Sequence, residues 1–342
     1  MTVQQSQNDI DTAALSLYLA DKMEGLGPTM TLTQIGGGQS NPTFYLDSGS
    51  RRLVLRKRPP GDLLPSAHAV DREYRVQAAL DGSGVAVPKM EYFCEDPAVI
   101  GTQFYVMERV DGRVFHDNAL PEIPAAERRA YFDALAQMLA EIHLVEIAAA
   151  GLSDYGKTGG FAARQIARWK KQWELSCSEP NAAIDSLMEW LPRNLPDEDR
   201  TTLVHGDFRL GNVMFHPTEP RIVAVLDWEL STLGHPMADL AHTCIYTWFM
   251  RRDEYGRGLL GEDQGAYGLP EMEEFTQFYF QATGREEPLT RFYLALALFR
   301  NAVIFEGIAS RARQGNAAAG NAAEAGRLAP ALAERGAALI AG

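Results

Sequence analysis

The chain is poor in cysteine, with Cys94, Cys177 and Cys244 alone among 342 residues. They lie far apart and form no C-x-x-C pair, which argues against a disulfide framework or a zinc site. Each is most simply a small apolar core residue. The N-terminus, MTVQQSQNDIDT, lacks a basic segment followed by an apolar one, so no signal peptide is expected. No apolar run is read as approaching the roughly 18 residues of a membrane span. Basic residues are also scarce, 32 Lys and Arg against 45 Asp and Glu, for a formal net charge of −13. A nucleic-acid or anionic-membrane binder wants a basic face, so neither partner is expected, although a local basic pocket could still hold an anionic ligand. No G-x-G-x-x-G opens a helix, so the nicotinamide and flavin fingerprint is missing. Internal repeats are missing too. A reducing, cytoplasmic setting fits these shortages best.

Apolar residues make up 46% of the chain, enough to bury a sizeable core, and the length suggests about two domains. The densest run of chemistry-bearing residues lies between Leu203 and Asp239. It reads LVHGDFRLGNVMF, a turn through HPTEPR, IVAVLDWE, then STLGHPMAD. Two short apolar strands, 212–215 and 222–226, flank a proline-containing turn and predict a hairpin. Such a hairpin gathers Asp207, Asn212 and Asp227. An Asp and an Asn supply oxygen ligands to Mg²⁺, and a further Asp can accept a proton from an attacking hydroxyl.

The spacing His205-x-Asp207-x-x-x-x-Asn212 is that of the kinase catalytic loop, and Asp227-Trp228-Glu229 stands where kinases carry D-F-G. The chain therefore resembles the aminoglycoside phosphotransferase and choline kinase-like family. Its segment HGDFRLGN…LDWE…GHPMAD is most similar to the kinase-like domains fused to some acyl-CoA dehydrogenases.

Upstream, strand-like residues 31–35 run into Gly36-Gly37-Gly38-Gln39-Ser40-Asn41, and strand-like 43–46 follows. Glycines between strands let the backbone approach a ligand, so loop amides and the Ser40 hydroxyl could bind phosphate oxygens. The kinase glycine loop is matched at Gly36 and Gly38 but has Asn41 at its third position. The next strand, 53–58, ends in Arg56, Lys57 and Arg58. Kinases place here a cation for the α/β-phosphates and a helix glutamate. Alternation puts Arg56 and Lys57 on opposite faces, and either could be that cation. A helix over 66–80 carries Glu73 on its inner face, where a carboxylate needs a partner. Strands over 89–93 and 104–108 lead to the position of the kinase hinge. By that resemblance Val110 offers a backbone contact and Met107 lines the nucleotide pocket.

Helices are also expected over 11–24, 124–147, 161–176, 236–250, 271–283 and 290–309. His143 reads as a satisfied core histidine. The 161–176 helix, with Trp169, Trp173 and four cations, is either a solvated face over core tryptophans or a site for a carboxylate or coenzyme A phosphate. By resemblance Asp239 holds the catalytic loop's backbone and Arg209 touches the transferred phosphate. The alanine-rich tail reads as a loosely ordered linker and a short terminal helix.

The expected fold is α+β and bilobal, protein-kinase-like. A small antiparallel-sheet N-lobe spans 1–110, and a mostly helical C-lobe spans 111–342. The resemblance implies ATP and Mg²⁺ as cofactors and a small-molecule hydroxyl as acceptor. It assigns Asp207 and Arg209 to catalysis and Asn212 and Asp227 to the metal. Gly36, Gly37, Gly38, Ser40, Arg56 or Lys57, Glu73, Met107 and Val110 are assigned to the nucleotide. It points to a hydroxyacyl or hydroxyacyl-CoA acceptor and allows an acyl-CoA dehydrogenase as partner. Choline-type or aminoglycoside-type kinases and a non-catalytic nucleotide-binding module are the alternatives.

Overall fold

The computed structural model describes residues 10–36, 41–60, 68–177, 179–197, 200–255, 257–286, 288–313 and 322–342. It divides into two compact units. The first comprises Met1–Gly112 with Val223–Glu229, and the second comprises Arg113–Ile222 with Leu230–Gly342. The segment that carries Asp227 thus belongs to the first unit, whereas a cut near residue 110 puts it in the second.

The first unit opens with α1 (Thr12–Ala20), whose N-cap Asp11 accepts hydrogen bonds from the Ala13 and Ala14 amides. Five antiparallel strands follow: β1 (Met30–Gln34), β2 (Thr43–Ser48), β3 (Arg51–Lys57), β4 (Met90–Cys94) and β5 (Phe104–Glu108), in sheet order β1-β2-β3-β5-β4. Strand alternation splits the sheet into two faces. Leu53 and Leu55 of β3 join Phe104 and Val106 of β5 and Leu15, Leu19 and Met23 in one core. Arg56, Tyr105, Val54 and Met107 point the other way, as the pairs Arg56–Tyr105 and Val54–Met107 require. On that face lies α2 (Val70–Leu80), with Val70, Glu73, Val76 and Leu80 buried. It begins later than the sequence suggests, and Ser66 lies outside the described residues.

The second unit is mostly helical, with α3 (Ala125–His143), α4 (Phe161–Ser176) and α5 (Ala182–Arg193) before the catalytic segment. That segment comprises β6 (Thr202–Val204), a 3-10 turn at Leu210–Asn212 and β7 (Val213–Phe215); β8 (Ile222–Val225) starts at its end, and its residues from Val223 on belong to the first unit. The His216 amide donates to the Arg221 carbonyl and closes the predicted hairpin turn. β9 (Thr232–Gly234) pairs antiparallel with β6. The short pair β6–β9 and α5 were not foreseen. Then come α6 (Pro236–Trp248), two single turns α7 (Arg252–Tyr255) and α8 (Gln264–Tyr267), α9 (Met272–Thr283), α10 (Arg291–Arg313) and α11 (Ala322–Ala341).

Three expectations need correction. Cys177 is exposed, unlike the buried Cys94 and Cys244. α10 contains an 18-residue window apolar enough to cross a membrane, but 78% of that window is buried inside the protein, as in a core helix. The terminal helix is longer than expected: α11 runs for 20 residues and buries Leu328, Ala329, Leu332 and Ala333, while residues 314–321 of the tail lie outside the described residues. Its Gly336 lies so close to Leu187 of α5 that an added Cβ would stand 2.9 Å from a leucine methyl. Gly336 thus serves close helix packing.

Leu332 is fully buried. Leu332→Ala should therefore destabilise the protein by about 2–5 kcal/mol in urea titration. A loss below about 0.5 kcal/mol would show that α11 is only loosely docked.

Candidate active site

In the first unit the site is built around a buried carboxylate. Glu73 is 1% exposed, and its oxygens accept four hydrogen bonds from three side chains. Arg56 Nε donates to Oε2 at 2.7 Å and Tyr105 Oη at 3.0 Å, while Asn41 Nδ2 donates to Oε1 at 2.5 Å and Arg56 Nη2 at 3.5 Å. A carboxylate buried this deeply is tolerable because each oxygen is satisfied. Arg56 Nη2 also donates to Asp227 Oδ1 at 3.2 Å. Burial alone would lower the Arg56 pKa, but Tyr105, Glu73 and Asp227 outweigh it and hold the guanidinium above its ordinary value. Lys57 lies on the opposite face and is also buried, which pushes its pKa down. Of the two candidate cations, Arg56 is the one paired with Glu73. Asn41, where a kinase loop has glycine, is 2% exposed and props Glu73, with its Oδ1 3.1 Å from His68 Nδ1.

The remaining nucleotide candidates divide. Gly36 is exposed at the end of β1, with open space where a Cβ would stand. Gly37, Gly38 and Ser40 lie outside the described residues. Met107 is half-buried on the Arg56 face of the sheet, and Val110 is half-buried just past β5. Asp227 adopts φ 65°, a left-handed conformation rare for a non-glycine residue. Strain of this kind clusters at functional sites.

In the second unit a second buried carboxylate fixes the loop. Asp239 is 2% exposed and accepts from the His205 amide at 2.6 Å and the Gly206 amide at 2.8 Å. His143 Nε2 approaches it at 3.4 Å, while Nδ1 of the same ring meets the Tyr279 hydroxyl at 2.7 Å. This satisfies the expected core histidine. Gly206 has φ 86°, and a Cβ there would stand 2.6 Å from the Leu230 carbonyl oxygen. Both the conformation and the space demand glycine.

The loop presents Asp207 to three partners. His242 Nε2 lies 2.8 Å from Oδ1, Asn212 Nδ2 donates to Oδ2 at 2.7 Å, and Arg209 Nε stands 3.5 Å from Oδ2. Burial would raise the Asp207 carboxyl pKa, but the hydrogen bond from His242 and the charge of Arg209 hold it well below the carboxylate range. His242 is itself pushed down by burial, so a neutral imidazole donates Nε2–H to an ionised Asp207. Asn301 Nδ2 lies 3.4 Å from His242 Nδ1, which suits that tautomer. Neither His242 nor Asn301 was singled out in the sequence. The available signal was His242 at three residues past Asp239, hence on the same face of α6.

Asn212 also donates Nδ2 to the Asp207 carbonyl at 2.8 Å. With the amide nitrogen so engaged, the Asn212 carbonyl oxygen is left as a hard ligand. Asp227 uses one oxygen on Arg56 and has a side chain 36% exposed. Oxygen donors of this kind, few in number, fit Mg²⁺, which keeps waters and phosphate oxygens as its other ligands. Among the described residues no group of three or more His, Cys, Asp or Glu side chains is placed to hold a metal ion by itself.

The buried imidazoles His143 and His242 both have folded-state pKa values below the ordinary value, chiefly through burial. The unfolded chain therefore binds protons that the folded one refuses. Stability should be full above about pH 6.5 and fall below it, by up to about 1.4 kcal/mol per pH unit for each ring. Asp207 and Asp239 are both depressed, so their contribution is present above about pH 3.9 and is lost only in stronger acid. Urea titrations between pH 7.5 and 5 check this; a flat profile below pH 6.5 would mean that the rings are not held neutral.

Comparison with known proteins bears on this geometry. The pattern of the phosphotransferase enzyme family matches residues 31–276. Acyl-CoA dehydrogenase family member 11 of Homo sapiens is 44% identical over 318 residues, covering 91% of this chain and 40% of that protein. The chain thus spans about two fifths of the length of these curated relatives. A crystal structure from Ralstonia eutropha JMP134, provisionally described as an aminoglycoside phosphotransferase, is 44% identical with TM-score 0.89, covering 97% of this chain and 99% of that one. A ternary complex of aminoglycoside phosphotransferase APH(4)-Ia with AMP-PNP and hygromycin B is 18% identical with TM-score 0.60, covering 93% and 97%, and carries the fold alone. The α+β fold, the family pattern and the near-complete overlap with a solved relative agree: this chain belongs to the phosphotransferase enzyme family.

Proposed function

We propose that the chain is an ATP- and Mg²⁺-dependent small-molecule kinase that moves a γ-phosphoryl group onto an acceptor hydroxyl. The observation that carries this reading is the Asp207 carboxylate, kept ionised and oriented by His242 and Asn212. A residue that only bound a ligand would have no need of such tuning. Phosphoryl transfer asks mainly for positioning and charge neutralisation. In this reading Asp207 Oδ orients the acceptor hydroxyl and takes its proton as the new O–P bond forms and the bond from the γ-phosphorus to the β-phosphate oxygen breaks, with ADP as the leaving group. A carboxylate of depressed pKa is a weak base, so orientation is the larger part of its work. Arg56, fixed by Glu73, binds the α/β-phosphates, and Arg209 steadies the transferred group. Asn212 and Asp227 hold Mg²⁺, which when bound neutralises phosphate charge. Gly36, Gly37, Gly38 and Ser40 cover the phosphates, and Met107 and Val110 meet the base.

The acceptor proposed is a hydroxyacyl compound, free or as its coenzyme A thioester. Support comes from the relatives named for acyl-CoA dehydrogenases, in which a region similar to this chain is part of a longer protein. A dehydrogenase acting on the same acyl compound is the partner that this reading suggests.

The test is Mg²⁺-dependent ADP release from ATP across hydroxy acids, hydroxyacyl-CoAs, amino alcohols and aminoglycosides. One acceptor class should raise turnover, and Asp207→Asn should lower that turnover by roughly 10²–10⁴-fold without weakening ATP binding. Tight Mg·ATP binding with no acceptor response in a complete panel would favour a nucleotide-binding module instead.

A further inference from the structure

One cation beside the catalytic loop is not used by the reaction described so far. Arg300, on α10, donates Nη2 to the Gly206 carbonyl at 2.6 Å. Its Nε is buried and has no hydrogen-bond partner among the described residues. Nor, among those residues, does a carboxylate stand within ion-pair distance of its guanidinium, although Asp and Glu outnumber Lys and Arg by 45 to 32. Buried guanidinium groups ordinarily find an anion. Burial lowers the Arg300 pKa, while Asp207 pulls it up from a greater distance.

The surroundings of Arg300 are apolar and hollow. A recess of about 30 Å³ lies against it, walled by Phe161, Gln165 and Trp169 of α4 and by Tyr293 of α10. That volume admits about two waters or the head of one small group. The Trp169 ring centroid is 5.7 Å from the Arg300 guanidinium carbon and 5.2 Å from that of Arg168. Trp169 Nε1 donates to Gln165 Oε1 at 3.0 Å, which fixes the ring as a wall. The contact with Gly206 sets this recess next to the residue that precedes Asp207. An aromatic wall suits methylene groups, and a guanidinium without a carboxylate partner among the described residues suits an oxyanion.

We propose that Arg300 and the recess it shares with Trp169 bind an oxyanion of the acceptor, a carboxylate or a phosphate, and so select acceptors that carry an acid group on a short apolar chain. This makes Arg300 a specificity-determining residue. It rests on the kinase reading for the acceptor's identity, but binding at the recess can be measured without turnover.

The experiment titrates the full chain with butyrate, butyl phosphate and the neutral isostere butyramide, reading tryptophan fluorescence. Saturable responses are expected to one or both anions and not to butyramide, and the two anions separate a carboxylate site from a phosphate site. Trp169→Phe should abolish the signal. Arg300→Gln should weaken anion binding roughly 10- to 100-fold, the loss of a charge-assisted hydrogen bond. Arg300→Lys should fall between them. Equal responses to butyrate, butyl phosphate and butyramide, or no response in the wild-type chain, would overturn the proposal even if Arg300→Gln failed to fold. The same holds if Arg300→Gln folds and binds the anions as tightly as the wild type. Anion binding without any acceptor-dependent ADP release would sink the kinase reading and leave the recess standing. Phosphorylation of an uncharged acceptor as efficient as that of its acidic analogue, with no fluorescence response, would do the reverse.

Discussion

A carboxylate almost stripped of water holds the loop that carries the chemistry. Asp239 takes two consecutive backbone amides, His205 and Gly206, and this fixes where Asp207 begins. Two charge-assisted bonds to backbone leave the loop little freedom, and burial sharpens both. Everything described around Asp207 assumes that anchor. His242 reaches Asp207 from the same helix as Asp239, one turn on, so anchor and orienting group move as one body.

The first unit repeats this logic with a different carboxylate. Glu73 is surrounded by donors from β3, β5 and the end of the glycine loop, and it returns the favour by locking Arg56. Leaving either partner alone would strand a buried charge, which is why such pairs are costly to break although they add little when replaced whole. The bridge from Arg56 to Asp227 ties the strained Asp227 to the same network.

Much of this was legible in the sequence. Alternation along β3 and helical spacing in α2 put a cation and Glu73 on facing surfaces, and the HGD…N…D spacing named Asp207, Asn212 and Asp227. Alternation alone could not choose between Arg56 and Lys57, because the choice depends on which face α2 covers. Asn41 broke the glycine pattern for a reason that only the folded state reveals, its bond to Glu73. His242, Asn301 and Arg300 come from helices 35 to 94 residues away in sequence from the groups they touch, and only His242 carries a local mark, its spacing from Asp239. The terminal helix begins earlier than read because glycine in a helix signals weakness when exposed, yet Gly326 lies within α11, where a Cβ would stand 3.4 Å from Ala309 of α10.

Gly206 illustrates how a residue can be indispensable without touching a substrate. Its left-handed backbone and the Leu230 carbonyl behind it leave no room for a side chain. In a saturation screen scored by activity, every replacement there would look like the loss of a catalytic group. Sensitivity at this position would report the shape of the loop, and ranking sites by intolerance alone would place Gly206 beside Asp207 for an unrelated reason.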